Sequence, residues 1–98
     1  MPALPQTLDL PQTSTDTDES LDTPWIVTLF DDPVNLMDYV TMVIMRIFGY
    51  PREKAEVMMK TVHTKGKCIV WTGERERAEL YVQQLHSHQL KAAMSRAD

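Results

Sequence analysis

The chain has 98 residues, enough for one small domain that buries roughly 60% of its unfolded surface, which argues against a deep enzyme cleft. Its formal charge of −4 is unevenly placed: residues 1–23 hold Asp9, Asp16, Asp18, Glu19 and Asp22 with no Lys or Arg. No Lys/Arg stripe marks a nucleic-acid surface, and no run approaches the ~20 apolar residues that span a bilayer.

The first residues carry no signal-peptide pattern. The lone Cys68 leaves no partner for an internal disulfide and no Cys-based zinc site; in its apolar surroundings it reads as a buried, inert thiol. A monomeric cytoplasmic protein without cofactor, nucleic-acid partner or membrane attachment is expected. Residues 1–23 mix Pro2, Pro5 and Pro11 with Thr, Ser, Gln and acids, and their leucines follow no sustained period. Such a segment is expected to form a disordered acidic extension, because it buries too little to offset its ordering entropy. The folded domain is expected over residues 24–98.

Trp25 to Phe30 is β-branched and aromatic, the composition of a strand. It runs into Asp31-Asp32-Pro33-Val34-Asn35, where proline and turn-forming side chains stop it and leave two carboxylates at a strand-to-helix corner. Asn35 followed by Asp38 reads as an N-x-x-D capping box. A helix is predicted from there to Phe48, with Met37, Val40, Ile44 and Ile47 on one face and Gly49 as its stop. Pro51 opens a second helix in its first turn, which runs through Met59 and Val62 to His63 and ends at Gly66. Lys67 to Trp71 is a second strand. Thr72-Gly73-Glu74 opens a third helix through Ala78 and Leu85, and Leu90 to Met94 is a short last strand. The order β-α-α-β-α-β predicts an α+β fold, three helices against a three-stranded antiparallel sheet.

The chemistry-bearing residues are the acid pair Asp31 and Asp32 and the histidine His63 at the end of the second helix. As a metal site this set is weak, since no i, i+4 histidine pair or cysteine accompanies it. As acid–base machinery it lacks a nucleophile. It suits an ammonium group: the carboxylates give charge-assisted acceptors and a neutral imidazole nitrogen gives another. Met37 and Val40 lie a turn apart on one helix, and Met59 lies a turn before His63 on the other, so greasy walls and a polar tip can meet.

With Val27 to Asp32, Met37-Asp38-Tyr39-Val40, Ala55 to His63, Gly66-Lys67 and Ala78-Glu79 in this order, residues 24 to 94 resemble the ClpS family of Clp protease adaptors, which recognise destabilising N-terminal residues. The resemblance implies the same three-stranded, three-helix fold and a non-enzymatic role. It also implies a pocket that holds the free α-amino group of a substrate through Asp31, Asp32 and His63. Asn35, Met37, Val40, Met59 and Leu90 would enclose a first side chain such as Leu, Phe, Tyr or Trp.

Glu79 falls where the family has an acid facing the N-terminal domain of a ClpA- or ClpC-type AAA+ unfoldase, and the acidic extension would be the arm the unfoldase engages. A gapless alignment puts Asp31 at the family's asparagine and Pro33 at its second acid. An alternative with a one-residue insertion puts Phe30 at the asparagine. The gapless version keeps Met37, Val40, Met59 and His63 in register, and both leave open which acid meets the amine. Two other readings stand beside this one: a metal-dependent hydrolase using Asp31, Asp32 and His63, and a protein-interaction domain without an amine pocket.

Overall fold

The computed structural model describes residues 23–97; the expected acidic extension lies outside the described residues but for Thr23. The elements follow the expected order. They are β1 (Trp25–Phe30), α1 (Met37–Phe48), α2 (Arg52–Lys65), β2 (Lys67–Gly73), α3 (Arg75–Ser87) and β3 (Lys91–Arg96). β1 is the central strand of an antiparallel sheet ordered β2-β1-β3.

Alternation along β1 sets the two faces of the sheet, as period-2 side chains must. Val27 and Leu29 are fully buried beneath the helices, together with Val43 and Ile44 of α1, Ala55 and Val62 of α2, and Ala78 and Leu85 of α3. Phe30 and Ile69 stay exposed on the other face. No helix of the described residues is long and apolar enough to cross a membrane.

The boundaries show where local signals were overridden. Asn35 does not cap α1: Leu36 occupies the N-cap position and no side chain caps the helix there. The Asn35 side-chain amide instead donates through Nδ2 to the Gln89 carbonyl at 3.0 Å, a tertiary bond that holds the side chain away from the helix start. Pro51 stands one residue before α2, as its N-cap.

β2 runs two residues further than expected, because Thr72 and Gly73 pair with Ile26 and Trp25, and it contains a bulge. Val27 pairs with Trp71 and Thr28 with Ile69, so Val70 is the extra residue. Its side chain is buried, and its carbonyl accepts the Tyr50 hydroxyl at 2.7 Å. β3 starts and ends later than Leu90 to Met94. Cys68 is half-buried rather than fully buried, and burial raises its thiol pKa.

Candidate functional site

One cavity collects every residue the sequence singled out for binding. Asp31, Asp32, Asn35, Met37, Val40, Met59, His63 and Leu90 all line a space of about 200 Å³ at the C-terminal end of β1. Leu29, Phe30 and Pro33 complete the wall. Leu29 alternates like any core residue and gave no signal in the sequence, whereas Phe30 and Pro33 entered only as alignment positions at the corner.

The cavity is built by locking chain ends together. Gly66 ends α2 in the left-handed conformation at φ +89°, a region costly to any residue with a Cβ. Its carbonyl then accepts the Asp31 amide at 3.0 Å, which joins the end of β1 to the end of α2 and sets Asp31 beside His63's helix. Asp32 closes an Asx turn by accepting the Val34 amide on Oδ1 at 3.0 Å, while its carbonyl accepts the Asn35 amide at 3.1 Å.

On the far side, Leu90 follows Gln89, which has a positive φ of 66°. Two side chains hold that strained approach. Asn35 donates to the Gln89 carbonyl, and the Tyr39 hydroxyl donates to the His88 carbonyl at 3.0 Å. The Leu90 amide bonds back to Leu85 at 3.0 Å, so Leu90 enters the cavity wall on a fixed backbone.

Exposure grades from mouth to floor. Asp31 and His63 are exposed and Asp32 is half-buried, while Met59 and Leu90 are buried and Val40 is half-buried. The mouth is therefore polar and the floor apolar. The Asp31 carboxylate and the His63 imidazole make no hydrogen bond within the described residues. Among the described residues His63 is the only basic side chain lining the cavity, and no Lys or Arg of them lines it beside the two acids. Such a rim attracts a cation and offers it unspent acceptors.

Among the described residues the lining holds no Ser, Thr, Cys, Tyr or Lys. Among the described residues no group of three or more His, Cys, Asp or Glu is arranged to hold a metal ion. Glu79 lies exposed on α3 and does not line the cavity. His86 and His88 also lie outside the cavity lining. Ring nitrogens of the two lie 2.8 Å from the Ala92 carbonyl and 2.9 Å from the Gln84 carbonyl, respectively.

The fold and the site define a small α+β domain with an acid-rimmed apolar cavity. Comparison with known proteins gives the family. Residues 20–94 match the model of the ATP-dependent Clp protease adaptor protein ClpS. The ClpS adapter protein of Rhodococcus opacus is 42% identical over 96 residues, covering 98% of this chain and 86% of that one. That of Nocardia farcinica is 45% identical over 80 residues, covering 82% and 76%. The chain belongs to the ClpS family, and so is a non-enzymatic adaptor in proteolysis.

That family works with Clp AAA+ unfoldases and N-degron substrates. Among solved structures, Agrobacterium tumefaciens ClpS2 bound to L-phenylalaninamide has the same fold, with a TM-score of 0.71 at 21% identity over 76% of this chain and 96% of that one.

Proposed function

We propose that this adaptor binds proteins through a bulky hydrophobic first residue, Leu, Phe, Tyr or Trp, together with its free α-amino group, and delivers them to a ClpA- or ClpC-type AAA+ unfoldase in the cytoplasm. The observation that carries the reading is the single cavity with two unneutralised carboxylates and His63 at its mouth and Met37, Val40, Met59 and Leu90 within. The ammonium group would rest against Asp31, Asp32 and His63, and the first side chain would fill the apolar part beside Asn35.

A volume of about 200 Å³ is below the ~300–1,000 Å³ of sites for drug-sized ligands, and suits one side chain. The ligand of the Agrobacterium protein, a phenylalanine with a free amine and no carboxylate, has the features this cavity would select. Glu79 and residues 1–23 are assigned to the unfoldase, Glu79 because it is exposed and apart from the cavity.

The test is a peptide beginning with Leu or Phe, measured with its amine free and acetylated. Acetylation removes the positive charge and leaves the acceptors at the mouth without their charged donor, so the acetylated peptide is expected not to bind. Equal affinity for both forms would remove the amine-binding role of Asp31, Asp32 and His63.

A further inference from the structure

A second groove adjoins the cavity and shares one residue with it. Asn35 lines both; beyond it the groove is formed by Val34, Leu36, Tyr39, His88 and Gln89 and holds about 290 Å³. Val34 and Leu36 are 85% and 76% exposed, the highest values among the exposed large hydrophobic side chains of the described residues. They project from the turn that closes the cavity mouth, where water gives apolar side chains no return. Among the described residues no Asp, Glu, Lys or Arg lines the groove. The Asn35–Gln89 and Tyr39–His88 hydrogen bonds hold its floor in place, so occupation requires little reordering.

Asn35 stands at the junction with its Nδ2 committed to Gln89, and its Oδ1 has no partner within the described residues. A chain whose first side chain fills the cavity must leave across the mouth, and its first peptide N–H then needs an acceptor. We infer that the turn 34–36 is a second subsite. Asn35 Oδ1 accepts the peptide N–H after the first residue, and an apolar side chain at the second position lies on Val34, Leu36 and Tyr39. This rests on the amine-binding reading and extends it from one residue to two.

The other route out crosses Phe30 onto the open sheet face, into a groove bordered by Ile26, Lys67 and Ile69. That route is disfavoured because Phe30 is paired on both sides, with Lys67 and with Lys91, and its backbone has nothing to offer a passing chain.

The experiment uses peptides that begin with Leu and differ only at the second residue, Leu or Ala, against the native protein, the double variant Val34→Ser/Leu36→Ser, and Ile69→Ser. Half-burying one leucine should make the Leu-Leu peptide bind the native protein about fourfold to tenfold more tightly than Leu-Ala. The double variant should bring the two within about twofold of each other while the Leu-Ala affinity, an internal control for folding, is kept. Ile69→Ser should leave the preference intact.

A flat ranking in the native protein, a preference that survives the double substitution, or one lost in Ile69→Ser overturns the subsite. Acetylated peptides separate the two readings. Amine dependence with no second-residue preference overturns the subsite alone, and indifference to acetylation overturns the amine reading and the subsite with it.

Discussion

Met37 stands at the first position of α1, 48% exposed at the edge of the cavity. An unbranched side chain there crowds a ligand branched at its β-carbon, whereas Leu branches one carbon further in. Met37→Ala is therefore expected to admit peptides beginning with Ile or Val, still only with a free amine. The half-exposed position keeps the stability loss below the ~2–5 kcal/mol of buried Met→Ala changes. Affinities of peptides that differ only in the first residue check this, and an unchanged ranking would make Met37 a bystander.

The two acids, by contrast, are not equivalent. Asp32 spends one oxygen on its own turn, while Asp31 keeps both and is held through its backbone by Gly66. At this scale the sequence was readable wherever a residue's placement follows from spacing. Met37 with Val40 and Met59 with His63 lie one turn apart, and α-helix geometry brings each pair to one side. Asn35 was misread because N-x-x-D looks like a cap, whereas its actual partner is 54 residues away and no local pattern encodes that.

Elements were legible where punctuation is strong. Gly49 and Gly66 both end helices at positive φ, and β1 stops at Phe30, just ahead of the turn-forming Asp31-Asp32-Pro33. The β2 bulge was not legible, because Val70 and Trp71 are both strand formers and only pairing with Val27 reveals the extra residue. The αL stop at Gly66 carries the next prediction. A Cβ there would meet nothing within 4 Å, so Gly66→Ala carries backbone strain alone, roughly 1–2 kcal/mol.

Because the Gly66 carbonyl holds the Asp31 amide, the strain falls on the cavity mouth. Gly66→Ala is expected to lower the urea midpoint and to weaken binding of a free-amine peptide as well. Gly49→Ala, which has the same positive φ but lies away from the cavity, should lower stability and spare affinity. Equal effects of the two on affinity would detach Gly66 from the site.

At the scale of the molecule, burial makes two side chains of the described residues harder to ionise. Burial raises the pKa of Cys68, and burial followed by the nearby Tyr81 raises that of Tyr50. A group with a raised folded pKa contributes stability that is complete below its unfolded value and lost as pH rises through the folded one. Stability is thus expected to fall as pH climbs past the ordinary thiol and phenol values, ~8.5 and ~10. Urea unfolding across that range reads the decline, and Cys68→Ala should flatten its lower part; an unchanged slope would assign the loss elsewhere.

The arrangement of β1 and β3 has a mechanical consequence. The two strands run antiparallel, so Trp25 faces Arg96 and the Ala97 amide bonds to the Pro24 carbonyl, which brings both ends of the domain to one corner. A pull on residue 24 against residue 97 would load this ladder crosswise, so its rungs would part singly, as in a zip, instead of sharing the force in shear. Tearing would start at that corner and travel toward Phe30 and Lys91, the rung beside the cavity, so the ligand's seat would be the last part of the ladder to feel the load.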